Sequence, residues 1–301
     1  MTSRTAQKKK AGPAGRHPKA KPKARKRKGT QRRGRSPGLY AIGAVVAIVA
    51  VMVGYGVFNR AKTPDTPNAT GASAVIDDVT SVPASALNAV GADGVETVPT
   101  ALPPSTAAYE VDGKPAILYV GAEYCPYCAA ERWALTIALS RFGSFDGLGL
   151  TTSSSTDIYP STRTLSFHGS TFHSDLIAFD GVETATNELN AAGTSYQPLD
   201  TLTPEQQQLF QAYNSSGSIP FLLIGNRYVL SGSSFLPDVL QGKSWQEIAS
   251  ALQDPTSDVA KEVLASANVM TAAICELTDG EPANVCTSPG VQQGANALAN
   301  A

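Results

Sequence analysis

The stretch from Ala116 to Gly143, AILYVGAEYCPYCAAERWALTIALSRFG, constrains this chain more than any other part of it. Ile117, Leu118, Tyr119 and Val120 are a short apolar, β-favouring run of the kind that fills a buried central strand. Cys125-Pro126-Tyr127-Cys128 follows, and then a helical pattern. Pro126 suits the first position of a helix, where its missing N–H has no bond to lose. Ala130, Trp133, Ala134, Ile137 and Phe142 recur at helical spacing as one apolar stripe, with Glu131, Arg132 and Arg141 expected on the solvent side. The expected order is strand, redox turn, helix, with Cys125 just outside the helix N-terminus.

That position carries chemistry. Unpaired N–H groups and the positive end of the helix dipole favour a thiolate over a thiol, which makes Cys125 the expected nucleophile, acidic and exposed. Cys128 lies one turn along on the same face, at a Cα separation of roughly 4.4–6.8 Å that a disulfide can span. It is the expected resolving thiol. Two blander readings of a CxxC stand beside this one: half of a zinc site, or a structural disulfide that does not turn over.

Charge divides the chain. Residues 1–37 hold fifteen Lys or Arg and no acid; the other nine basic residues share the chain after Phe58 with all twenty-five acids, 9 − 25 = −16. Between them, Leu39 to Phe58 is an uncharged apolar run of 20 residues. At 1.5 Å per residue it spans a hydrocarbon core of about 30 Å, and we read it as a transmembrane helix. A cleavable signal peptide is the rival, but its apolar region would be shorter, and Ala72-Ser73-Ala74 is too distant for a cleavage site. The basic flank places the N-terminus in the cytoplasm and everything after Asn59 outside. The tail itself, rich in Gly and Pro, reads as a disordered topology determinant resting on anionic lipid headgroups, with no nucleic-acid partner expected. The expected domains are 1–37 basic tail, 38–58 membrane helix, 59–77 linker, 78–289 extracytoplasmic domain and 290–301 flexible tail.

The four cysteines suit that address, because disulfides persist outside the cytosol. Cys275 and Cys286 flank a turn at Asp279-Gly280 and Pro282 and are expected to form a structural staple; a second redox pair, or a zinc site using all four cysteines, is the rival, but no nearby His completes a usual ligand set and no metal is expected.

The rest of the outer part reads in order. A short helix falls within Asp78–Val90, closed by Gly91. A hairpin turned at Asp112-Gly113 leads into the central strand. Gly147–Thr152 alternates as a strand. Thr164–Glu183, with Phe167, Phe172, Phe179, His168 and His173, is expected as a hairpin or meander against the domain, its histidines on the surface or in packing. Thr203-Pro204 opens a helix to about Tyr213. Ile219-Pro220 heads a strand, Phe221–Ile224, joined to Arg227–Leu230 by the turn dipeptide Gly225-Asn226. Ser244 and Glu247 form a capping box, and a final helix covers about Thr256–Glu276.

This order of elements resembles the thioredoxin fold, and the Pro-Tyr pair between the cysteines is the one typical of glutaredoxins. The fold the resemblance implies is α/β and thioredoxin-like, with an insertion between the redox helix and a cis proline; the transmembrane helix read from Leu39 to Phe58 precedes it. It implies a cis bond at Ile219-Pro220, with Ile219, Pro220, Tyr124 and Tyr127 expected to bind substrate, the backbone of Ile219 pairing as an added strand does. More closely, the CPYCAAERW box at Cys125 to Trp133, the FHGSTFHSDLIAF segment, Ser218 to Leu223 and the terminal CELTDGEPANVC resemble membrane-anchored prokaryotic proteins grouped as domain of unknown function 929, over roughly Asp78 to Pro289. That name implies no activity. One departure matters: thioredoxins carry a buried acid six positions before the nucleophile, where this chain has Tyr119. Glu123 is the nearest carboxylate, either an ordinary surface residue or a proton carrier.

The expected function is thiol–disulfide exchange on extracytoplasmic protein thiols or disulfides, oxidase or isomerase rather than reductase, with a membrane or extracytoplasmic electron partner and no cofactor beyond the Cys125–Cys128 pair. The alternatives are a non-catalytic thioredoxin-like binding module with structural disulfides and, third, metal binding through the CxxC.

Overall fold

The structure is a computed structural model and describes residues 68–103 and 108–301. The basic tail and the apolar run Leu39–Phe58 lie outside the described residues. No described helix is long and apolar enough to cross a membrane.

In chain order the elements are α1 (Ala69–Thr80), α2 (Ala84–Val90), β1 (Thr100–Ala101), β2 (Glu110–Val111), β3 (Lys114–Gly121), α3 (Pro126–Leu139), β4 (Ser144–Asp146), β5 (Gly149–Thr152), β6 (Arg163–Ser166), β7 (Thr171–His173) and β8 (Ala178–Glu183). There follow β9 (Ala185–Leu189), β10 (Tyr196–Pro198), α4 (Pro204–Tyr213), β11 (Phe221–Ile224), β12 (Tyr228–Ser231), α5 (Trp245–Ala251), α6 (Asp258–Leu277), α7 (Ala283–Cys286) and α8 (Pro289–Ala299). The architecture is mixed α/β.

β3 is the centre of the main sheet, antiparallel to β11 on one side and parallel to β8 on the other, and the sheet continues through β12 to β1. Its apolar run is buried on both faces. Ile117 and Tyr119 join the larger core, which holds α3 and α6; Ala116, Leu118 and Val120 face Leu209, Phe210 and Tyr213 of α4. The sheet is thus sandwiched between helices, which is why β3 reads as a continuous apolar run. The turn between β11 and β12 uses Gly225 and Asn226, both at φ 55°, the left-handed region that these two residue types tolerate. Capping boxes at Thr203/Gln206 and Ser244/Glu247 start α4 and α5.

Four expectations change. The linker 59–77 is not wholly a linker: α1 begins at Ala69, and Val75 and Val79 are buried in the core. The tail 290–301 is largely helical; Val291 and Leu298 of α8 are buried, for small residues such as Gly290 and Gly294 let α8 lie close against α6. Thr164–Glu183 is not a peripheral meander. Its last six residues are β8, hydrogen-bonded in the main sheet from Ala116↔Ala178 to Gly121↔Glu183, while β6 pairs with β5 and β7 with β4. The aromatic residues there, with Phe145, form a cluster of edge-to-face, tilted and stacked pairs that closes onto Tyr119 (Tyr119–Phe167 centroids 5.1 Å apart).

The fourth change concerns α3, the helix after the CxxC turn. Every residue of α3 except Tyr127 is buried, so the helix has no solvent side. Glu131 and Arg132 are both fully buried, and Arg141 just beyond the helix is largely so, its guanidinium bonded only to the neutral Asn268, Thr271 and Ser288 and lowered by burial to about 10. α6, β6 and α1 enclose α3 where a smaller domain would leave water. Two charges among fourteen residues were the available sign that little of this helix is wet.

Candidate functional site

β3 ends at Gly121, and after four intervening residues the chain enters α3 at Pro126. Cys125 is the N-cap, in extended conformation, and Pro126 occupies the first turn. The Cys125 sulfur accepts the Cys128 backbone N–H at 3.3 Å, taking the place a Ser or Asp oxygen fills at ordinary caps. On its other side it meets the carbonyl of Ile219, to which the thiol donates at 3.8 Å. The Ile219–Pro220 bond is cis, and β11 begins at the next residue, so the sheet itself brings the proline loop to the cysteine.

Cys125 and Cys128 are free thiols, both buried. Cys125 retains 6% exposure and Cys128 none. The sulfur expected on the surface is therefore sheltered, and the segment after β5 and the β9–β10 hairpin pack against the tyrosines on either side of it. Tyr124 stacks on Tyr196 (centroids 4.2 Å apart, planes at 6°), and Tyr196 bonds to Ser154 at 2.7 Å. Tyr127 meets Tyr159 edge-on at 5.9 Å. Tyr124, Tyr127 and Ile219 stay half-exposed around the sulfur, with Pro220 buried beneath.

The two thiols differ electrostatically. The hydrogen bond from the Cys128 side chain, then the Cys128 backbone N–H and the charge of Arg132, hold Cys125 below the ordinary thiol value against the effect of burial. Burial pushes the Cys128 thiol well above that value, and the bond with Cys125 adds to it. Cys125 is the more acidic of the two.

Beneath the turn lies what the sequence left unseen. Arg132 forms a two-pronged ion pair with Glu183 at the end of β8, Nε to Oε1 at 2.7 Å and Nη2 to Oε2 at 2.8 Å, and Nη2 also donates to the Ala122 carbonyl. Burial works against its charge, but Glu183 outweighs that and keeps the guanidinium protonated. Glu131, next along the helix, faces away and accepts the Ser234 N–H at 2.8 Å and its hydroxyl at 3.0 Å. Burial raises its carboxyl to about 7 despite those bonds. Glu123 is half-buried and accepts the Ser166 hydroxyl at 2.7 Å.

Other candidates sit apart. His168 pairs with Asp200 and His173 with Asp146, both largely exposed. Cys275 and Cys286 form a disulfide with Cα atoms 5.6 Å apart, tying the end of α6 to α7. Among the described residues, no three His, Cys, Asp or Glu side chains gather as a metal-ligand set.

Fold and site together define a mixed α/β protein with a dithiol at the N-terminus of its most buried helix. The chain belongs to the family described as domain of unknown function 929, whose model matches residues 103–276. No curated protein and no solved structure matches it.

Proposed function

We propose that this chain is a thiol–disulfide oxidoreductase of thioredoxin-like fold, anchored in the membrane by Leu39–Phe58 and working on proteins outside the cytoplasm. The observation that carries the reading is the Cys125 sulfur at a helix N-cap, holding the Cys128 N–H on one side and facing the Ile219 carbonyl on the other. A central β3 flanked by a parallel and an antiparallel neighbour, with α3 crossing between the parallel pair, supports the fold assignment.

The chemistry follows from thiol acidity. The Cys125 thiolate attacks a client disulfide, forming a mixed disulfide and releasing one client thiolate; Cys128 then attacks Cys125, closing the Cys125–Cys128 disulfide and releasing the second. Run backwards, a client thiolate opens that disulfide and the client leaves oxidised. Isomerisation begins and ends with both thiols and needs no electron partner. In an oxidising compartment we place the protein among oxidases and isomerases.

The test is the full chain in detergent with Cys128→Ala. Client proteins should then accumulate as mixed disulfides on Cys125, released by dithiothreitol, and the unaltered chain should reshuffle a scrambled disulfide substrate. Neither outcome, together with slow alkylation of Cys125, overturns the reading in favour of a second one. That second reading, a non-catalytic module binding a partner at the Pro220 loop, is favoured by the 6% exposure of Cys125; it predicts only noncovalent partners.

A further inference from the structure

Among the described residues, the CxxC turn rests on two polar groups that lack an acceptor. Cys128 and Arg132 are four residues apart on α3, hence on one face, and both are fully buried. The Ala122 carbonyl receives both the Cys125 backbone N–H, at 3.2 Å, and Arg132 Nη2, at 2.7 Å, so the guanidinium is tied to the atom that seats the nucleophile. Among the described residues, Arg132 Nη1 has no hydrogen-bond partner, and neither does the Tyr119 hydroxyl; both are buried. That hydroxyl lies against Gly121, where any Cβ would collide with it, and Gly121 is the register partner of Glu183. Tyr119, Arg132 and Glu183 thus converge under the two cysteines. A buried unpaired donor loses its hydration with nothing in exchange, the more so when charged, and native proteins rarely keep two together.

We propose that Arg132, clamped by Glu183 and assisted by the Tyr119 hydroxyl, stabilises the Cys128 thiolate through which disulfide exchange passes in either direction; this rests on the oxidoreductase reading. In the reductive direction Cys128 loses its proton, its sulfur bonds to Cys125, the Cys125–client bond breaks, and the departing client thiolate takes up the proton. The two cysteines are oxidised by two electrons and the client is reduced by two. In the oxidative direction the Cys128 thiolate is the leaving group. Either way an anion forms in a dry site, and the unpaired donors are where its charge is met. Burial disfavours that anion and Arg132 opposes the effect. The ionisable groups facing it are Cys125, Glu183 from β8 and Arg132 itself, with Tyr119 from β3; Glu131 points away to Ser234, and Asp200 reaches Glu183 through the Glu183 backbone N–H.

The experiment loads Cys125 of the full chain in detergent with thionitrobenzoate as a mixed disulfide and follows release of the coloured thiol by Cys128 from pH 5 to 9. Arg132→Gln, which leaves the Glu183 charge alone, should move the midpoint of the rate profile up by roughly one unit or more. Glu183→Gln, which leaves the guanidinium uncompensated, should move it down. Tyr119→Phe should slow release at neutral pH by roughly tenfold. A purely structural ion pair gives no opposite shifts. Shifts of the same sign, or none, in folded variants overturn the role of Arg132. If either charge variant fails to fold, Tyr119→Phe decides, and an unchanged rate overturns the proposal. A Cys125 that never takes up the probe overturns the oxidoreductase reading and this proposal with it; uptake with release indifferent to all three variants overturns this proposal alone.

Discussion

The two cysteine pairs occupy opposite kinds of helix end. Cys125 is the N-cap of α3, with its partner three residues on; Cys275 lies in the last turns of α6, joined to Cys286 across 11 residues. Exposure does not tell them apart, since Cys125, Cys275 and Cys286 retain 6%, 8% and 6%. Electrostatics does. The first sulfur receives a backbone N–H and lies at the positive end of a helix with Arg132 beneath it, whereas the second sits at the negative end beside Glu276. A thiolate is favoured at one place and opposed at the other. What separates the proposed exchange thiol from the staple is therefore its place on the helix, and burial is common to both.

That contrast can be broken in several ways. The largest expected effect is complete loss of exchange in Cys125→Ser, while Cys275→Ser combined with Cys286→Ser keeps it; mixed-disulfide capture with each variant checks this. If the second pair proves essential for exchange, the contrast fails. Next is Arg132→Met, expected to cost about 3–5 kcal/mol in urea unfolding because Glu183 is left charged in the core, with much of that recovered on adding Glu183→Met.

Glu131 gives a pH signature on the same helix. Its folded carboxyl, at about 7, lies above its ordinary 4.5, so the folded state holds a proton the unfolded chain has released. Its stabilising contribution is fully present below about 4.5 and is lost as pH rises through about 7, on the order of 3 kcal/mol in all. Relative to the native chain, Glu131→Gln should gain stability at pH 8 and little at pH 4.5; urea midpoints at both values test the sign. Opening the second pair by the double Ser substitution should cost about 2.8 kcal/mol through the loop it closes, with the thiol acidity of Cys125 unchanged. The smallest effect belongs to the exposed histidines: His173→Gln, which removes the contact with Asp146, should change stability by less than about 1 kcal/mol.

Much of the site was legible because its signals are local. A proline after a cysteine, an apolar run before it and a capping role for sulfur all act within one turn of chain, and each lies where expected. The same holds for the Gly225-Asn226 turn and both capping boxes. The errors share one cause. Glu131 and Arg132 look wet by residue type, and only packing by α6, β6 and α1 makes them core. β8 looks peripheral because its pairing partner, β3, lies some sixty residues away in sequence. Glu183 could not be linked to Arg132 across 51 positions by any spacing rule.

The sequence alone determined where the thiols lie, which of them caps a helix, which strand is central and which cysteines close a short loop, since each depends on neighbours along the chain. Only the tertiary structure decided how deeply α3 is buried, which carboxylate holds Arg132 and that Cys125 is sheltered. The reason is physical: backbone hydrogen bonding and capping are local, whereas desolvation and charge pairing depend on which distant segments come to lie against a side chain, and these decide how the same cysteine behaves.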